Sequence, residues 1–173
     1  KQNIYVLNHD STTAQSLKHL EDFKAEGVNV VDVHNNVSFD HAWLKNTVQK
    51  FQSNLLHKYK VVLFAEADEI ITINPINIHP RLDDYIINRF KDGEKRCIRC
   101  IGFNVQHDPE TEAPIDLSKP LLKQRSKWRR AIMFDKPLIS SRPVNWHIGY
   151  HWIEGNTEQP ADKHLILVHL HKL

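Results

Sequence analysis

The sequence predicts a single α/β domain over residues 1–173, an open, mostly parallel twisted sheet flanked by helices. Three observations lead there. The N-terminal part alternates strand and helix patterns. The 40% hydrophobic content of the 173-residue chain suffices for one packed core. The short apolar strand Lys60-Val61-Val62-Leu63-Phe64 runs straight into Glu66-Ala67-Asp68-Glu69, crowding carboxylates at the carboxyl edge of a sheet, where open parallel sheets collect their ligands.

Taken in order, Ile4-Tyr5-Val6-Leu7 reads as a strand. Ser11 to Ala25 carries Ala14, Leu17, Leu20 and Phe23 on one helical stripe that Gly27 ends. Val28 to Val33 is the next strand. After the Asn35-Asn36 turn, Trp43, Leu44, Val48, Phe51, Leu55 and Leu56 mark a longer amphipathic helix feeding the strand before the carboxylates. Strand, helix, strand, helix, strand implies parallel pairing through right-handed crossovers. Thr72-Ile73-Asn74-Pro75 reads as a turn, and a helix follows from Arg81 to Lys91, with Gly93 as its stop. Arg96 to Val105 and Trp128 to Phe134 read as strands joined by a loop through Pro109, Pro114 and Pro120, a length that is often functional or mobile. Leu165 to Leu170 is the last strand.

A formal charge of +2 gives no whole-chain argument for a nucleic-acid partner. The local run Lys123-Gln124-Arg125-Ser126-Lys127-Trp128-Arg129-Arg130 suits phosphate or, equally, a solvated edge strand. No apolar stretch is long enough to span a bilayer. Cys97 and Cys100 sit at an odd separation in one strand, which points them to opposite faces and reads as two reduced thiols, hence a reducing, cytoplasmic compartment, with peripheral membrane attachment left open.

Repulsion among Glu66, Asp68 and Glu69 must be relieved by a cation, a hydrogen-bond network or raised pKa values. A divalent metal carrying a phosphate answers that demand; a helix cap or turn is the plainer alternative. A second polar group, Asn8-His9-Asp10-Ser11, follows the first strand, where Asp10 or Ser11 can also simply cap the helix. Among the twelve histidines, His147, His151, His169 and His171 stand among aromatics near strand ends and could complete an oxygen-rich metal shell. His169 and His171 on one strand would share a face.

The order of Asn8-His9-Asp10-Ser11-Thr12-Thr13 after a strand, then Leu63-Phe64-Ala65-Glu66-Ala67-Asp68-Glu69, then Gly149-Tyr150-His151 and Val168-His169-Leu170, resembles the glycosyltransferase family 2-like enzymes of the GT-A fold. The resemblance covers most of the chain. It implies transfer of a sugar from a nucleotide-diphosphate donor to an acceptor hydroxyl of a glycan, with Mn2+ or Mg2+ as cofactor. It implies metal contact by Glu66, Asp68 and His151, and nucleotide or substrate contact by Asn8, Asp10, Ser11, Glu69 and His169. Asn8 and Thr13 stand where the family usually has aspartates, and Glu66 is one methylene longer than the usual aspartate. The family's opening strand, with its Lys-Asn-Glu-like segment, has no counterpart before Lys1, which implies either a chain lacking that strand or a degenerate member. Asp108, Glu110 and Glu154 are candidates for a general base without a motif to choose among them. Two other readings compete: a metal-dependent phosphoesterase using Glu66, Asp68, His151 and His169, and a non-catalytic binding module.

Overall fold

The computed structural model describes residues 2–35, 39–74, 81–93, 97–116, 118–155 and 160–170. Its contacts divide the chain into two compact units, Lys1–Thr47 and Val48–Leu173.

The first unit is a β-α-β turn of chain. Strands β1 (Tyr5–His9) and β2 (Asn29–Val33) pair in parallel, from Tyr5 opposite Asn29 to His9 opposite Val33. Helix α1 (Ala14–Ala25) connects them. Its N-cap is Thr13, whose hydroxyl accepts from the Ser16 N–H at 3.1 Å, so the expectation of an Asp10 or Ser11 cap is corrected. Four residues, Asp10 to Thr13, separate the strand from the helix, and Thr13, in the β region, is the one that reaches a first-turn amide. At the other end Gly27 N–H bonds Lys24 O at 3.0 Å and Val28 N–H bonds Phe23 O at 2.9 Å, the paired closure of a Schellman motif. That closure places Gly27 at φ +81°, a left-handed conformation that costs an L side chain. The apolar stripe of α1 is present, yet none of its residues is buried.

Helix α2 (His41–Leu56) begins in the first unit, where the Asp40 carboxylate accepts from the Ala42 and Trp43 N–H groups at 2.7 and 3.1 Å. In the second unit it buries Val48 and Gln52, and the Gln52 amide donates to Ser140 Oγ at 2.6 Å. The predicted helix is therefore correct in extent, with an amide on its buried face that no apolar pattern reveals.

The second unit holds two sheets among the described residues. One is three-stranded, β3 (Val62–Leu63), β8 (Ile139–Ser140) and β5 (Cys97–Ile98), with β8 in the middle and both pairings antiparallel. The other runs in the order β4 (Glu69–Ile73), β9 (Asp162–Leu170), β6 (Cys100–Gln106), β7 (Lys127–Arg130). Here β9 is parallel to β6 and antiparallel to β4, while β6 and β7 are antiparallel. Residues Leu165 to Val168 of β9 are all buried, the continuous apolar run expected of a strand covered on both faces. Val105, Ile166 and Val168 form a core flanked by Ile70, Ile101, Phe103, Leu122 and Leu170. Helix α3 (Leu82–Arg89) follows the segment after β4.

The fold is thus mixed α/β, as the alternation predicts, but the expected single, mostly parallel sheet is corrected. Of the strand pairings among the described residues, β1–β2 and β6–β9 are parallel and the other four are antiparallel. Apolar runs announce burial, not direction, so Val61–Phe64 and Leu165–Leu170 carry no sign of their partners' sense. The expected buried central strand before the carboxylates is a two-residue edge strand with Leu63 40% exposed. Thr72 and Ile73 belong to β4 rather than to a turn.

Two further strands are shorter than expected. The chain between Cys97 and Val105 breaks at Arg99, whose carbonyl accepts from the Asp162 N–H at 2.7 Å, so the cysteines fall in different sheets; both are buried free thiols, and burial pushes the Cys100 thiol well up. Arg96, the expected start of that strand, lies outside the described residues. The strand expected through Phe134 stops at Arg130, and Ile132–Phe134 makes a 3-10 turn instead. That turn brings the Phe134 backbone against Gly102 of β6, where an added Cβ would stand 2.4 Å from the Phe134 carbonyl carbon. Only glycine permits that approach.

Candidate functional site

The local sequence decides how the acidic segment is presented. Between β3 and β4 the chain folds into a tight turn, with the Glu69 N–H bonded to Glu66 O at 3.0 Å and the Glu66 N–H bonded back to Glu69 Oε2 at 3.1 Å. Glu69 then enters β4 opposite His169 of β9, and His169 in turn stands opposite Asn104 of β6. One row across three strands therefore fixes Glu69, His169 and Asn104, and Asp68 lies just outside it.

The cation that this segment demands is Lys136. Its side chain is only 2% exposed, and its ammonium lies 2.5 Å from Glu66 Oε2, 2.6 Å from Glu69 Oε1 and 5.3 Å from the Phe134 ring centre. Glu69 is fully buried beside it, and its Oε1 contact is one of charge rather than an aligned hydrogen bond. Two carboxylates close enough to repel are held by one buried ammonium, which is stable only because the geometry is this close. Glu66 also bears on its surroundings: its charge, after burial, pushes the Tyr150 hydroxyl well above its ordinary pKa.

Asp68 is different. Its side chain is 57% exposed, and its contact within the cluster is to His169 Nε2 at 3.2 Å, while His169 Nδ1 lies 3.0 Å from Asn104 Oδ1. The His169 ring stacks on Phe134 with centres 4.0 Å apart and planes 18° apart. On another side of Phe134 stands His151, edge to face at 5.8 Å. His151 Nδ1 donates to the Met133 carbonyl, which leaves Nε2 of the neutral ring with its lone pair available. Burial lowers the pKa of His151 and so favours that neutral form.

Backbone strain marks the same place. Gly149 at φ +80° and Tyr150 at φ +62° are consecutive left-handed residues immediately before His151. A Cβ at Gly149 would meet the His151 ring at 2.9 Å. Tyr150 is buried against Phe64 and Trp146, at 4.6 and 5.8 Å between ring centres, and that packing holds a conformation a tyrosine seldom adopts.

The second unit thus gathers five of the expected site residues, Glu66, Asp68, Glu69, His151 and His169, around Phe134 and Lys136. It does not arrange them as the expected ligand set: among the described residues there is no group of three acidic, histidine or cysteine side chains placed to hold a metal. Glu66 faces Lys136, Asp68 faces His169, and His151 lies across Phe134. Among the other candidates, His147 is exposed and His171 lies outside the described residues. Asp108 is committed to the loop, 3.1 Å from Lys127 Nζ and accepting from Thr111 Oγ1 at 2.8 Å.

The basic run is largely structural. Arg125 is buried and donates to the Ala113 and Gln124 carbonyls, Arg130 pairs with Asp135 at 2.6 Å, and the run ends in the exposed edge strand β7.

In the first unit the residues at the end of β1 form their own cluster. The Asn8 amide donates to Asp32 Oδ1 at 2.7 Å, and its Oδ1 accepts from the Ser11 N–H at 3.2 Å. Asp10, at φ +51°, pairs with His34 Nδ1 at 2.5 Å; that bond lowers the Asp10 pKa and raises that of His34. Asp10 and Tyr150 are the non-glycine residues with positive φ among the described residues, and each adjoins or belongs to an expected site.

Lys136, Phe134, Asn104, Asp32 and His34 were not legible as partners. A lysine set in Phe134-Asp135-Lys136-Pro137-Leu138-Ile139 is the one available signal, a charge in an apolar run that must be paired if buried. No helix of the described residues is long and apolar enough to cross a membrane. Compared with known proteins, the chain matches no family model, no curated protein and no solved structure.

Proposed function

We propose that the chain is a metal-dependent glycosyltransferase of the GT-A, family 2-like kind, moving a sugar from a nucleotide-diphosphate donor to an acceptor hydroxyl, with Asp68 as the principal metal contact. The observation that carries this reading is the division of labour in the acidic segment. Lys136 bridges Glu66 and Glu69 and offsets one of their two charges, while Asp68 is left 57% exposed at the rim. A Mg2+ or Mn2+ bound to a diphosphate takes most of its oxygens from phosphate and water, and needs only one or two protein carboxylates.

When bound, the metal would supply Lewis-acid neutralisation of the departing nucleoside diphosphate. The chain's own residues do the rest. Asp68 offers its carboxylate, and His169, braced by Asn104 and stacked on Phe134, orients it. His151, with Nδ1 tied to a carbonyl, presents Nε2 as a further ligand or hydrogen-bond acceptor. Lys136 offsets part of the charge by which Glu66 and Glu69 would repel the diphosphate of a donor. Glu66 is thereby proposed as a supporting residue more than a ligand. The resemblance assigns nucleotide contact to Asn8, Asp10 and Ser11, and their variants test that part separately.

Calorimetric titration with uridine and guanosine diphosphates, with and without Mn2+, tests the proposal. Binding is expected only with metal, and Asp68→Ala should abolish it while leaving the circular dichroism spectrum unchanged. Metal-independent binding, or binding untouched by Asp68→Ala, would sink the assignment of Asp68.

A further inference from the structure

A second polar site lies at the opposite end of β9. From His169 back to Asp162 is seven residues of strand, about 23 Å at the usual rise. There the second unit has a pocket of about 710 Å³, open to solvent and lined among others by Tyr85, Arg89, Arg99, Asp162, Lys163 and His164.

Among the described residues that line it, charge is unbalanced: Arg89, Arg99 and Lys163 bring three cations, and Asp162 brings one carboxylate. Asp162 is already fully engaged: it accepts from Tyr85 Oη at 2.9 and 3.0 Å, from Arg89 Nε at 2.9 Å and from the His164 N–H at 3.0 Å. Those bonds, with the Arg89 charge, hold its pKa below the ordinary carboxylate value despite burial. It therefore acts as a bracket that orients Arg89 through Nε, and the guanidinium keeps its two terminal nitrogens for another acceptor. Arg99 follows Ile98 at the break between β5 and β6, where its main chain is pinned by the Asp162 N–H. Neither Arg99 nor Lys163 has a side-chain acceptor among the described residues. Two cations beyond what the lining carboxylate neutralises, in a concave site with a pre-oriented guanidinium, match a dianion with tetrahedral oxygens.

We propose that this cavity is a binding site for a small phosphate monoester, separate from the acidic cluster and from any donor bound there. The pocket is roomier than inorganic phosphate requires, which leaves space for an organic group on the ligand.

The test is titration of the intact chain, in EDTA so that no metal site contributes, with glycerol phosphate and in parallel with methyl sulfate, which presents similar oxygens with one charge fewer. Saturable glycerol phosphate binding is expected, weakened about tenfold or more in Arg99→Gln and several-fold in Lys163→Gln, and reduced by added salt. Asp68→Ala should leave it unchanged, so that failure of the transferase reading and failure of this one are distinguishable. Both glutamine variants alter partly or fully exposed side chains, and circular dichroism checks that they fold. No saturation by tens of millimolar glycerol phosphate, equal or tighter binding of methyl sulfate, or wild-type affinity in Arg99→Gln would each overturn the proposal.

Discussion

The polar segments after β1 and after β3 look alike in sequence, each a short strand running into acidic and amide side chains, but they are solved by different physics. The segment after β3 is charge-compensated in the interior, with Glu66 and Glu69 on a buried lysine. The segment after β1 is held by hydrogen bonds, from the buried Asn8 to Asp32 and, at the surface, between Asp10 and His34. Buried compensation makes the first arrangement rigid and costly to disturb. Surface bonding makes the second cheap to alter and sensitive to pH. The contrast also separates neighbouring carboxylates: Glu69 is locked in the interior beside Lys136, and Asp68, one residue earlier, stays 57% exposed beside His169.

The largest effect should come from Lys136→Met. Removing the ammonium leaves two facing carboxylates, one fully buried, and loss of one partner of a buried pair costs about 3–5 kcal/mol. Urea unfolding should show that loss, or the variant should fail to fold. A Lys136→Met chain of wild-type stability would show that the buried cluster does not depend on its cation, and the contrast between the two segments would fall.

Next comes Gly102→Ala. The Phe134 backbone must move to admit a methyl group, and Phe134 is the ring on which His169 stacks. Overpacking of this kind costs about 1–3 kcal/mol. The sharper readout is local: the His169 and His151 ring signals in the NMR spectrum should shift while those of His34 stay in place. Unmoved His169 signals would mean that Phe134 does not position it.

These two residues also show where sequence reading stops. The helices α1 and α2 were legible because an i, i+3, i+4 apolar stripe and a terminal Gly27 are local signals. The acidic cluster and His151 and His169 were legible as unusual residues at strand ends. What relieves the carboxylates was not, because Lys136 is remote in the chain and its burial follows from packing that no local pattern encodes. Strand direction failed for the same reason: β9 takes β4 on one side and β6 on the other, in opposite senses, and its apolar run is compatible with either. Gly102 reads in sequence as a glycine within a strand, and only the approach of Phe134 gives it a reason.

Thr13→Ala should have a smaller effect, about 1 kcal/mol, the usual cost of losing an N-cap oxygen. Because Thr13 rather than Asp10 or Ser11 caps α1, Ser11→Ala should be nearly silent in the same urea experiment. The reverse ranking would return the cap to the predicted site and remove Ser11 from the list of residues available to a ligand.

The smallest effect is the most specific to the first segment. Asp10 and His34 are exposed, so their pairing is best read as titration. The lowered Asp10 pKa makes its contribution present above its ordinary value of 3.8 and lost as pH falls through the lowered value. The raised His34 pKa makes its contribution complete below the ordinary 6.5 and lost as pH rises through the raised value. The pair therefore acts at full strength between about pH 4 and pH 6.5 and weakens on both sides. In an NMR titration the His34 ring should protonate above the ordinary histidine value, and Asp10→Asn should return it there, while leaving His151 where burial holds it, below that value. If His34 in the wild-type chain titrates as an ordinary histidine, the Asp10 bond is not formed in solution, and the segment after β1 is an open loop end rather than a bonded cluster.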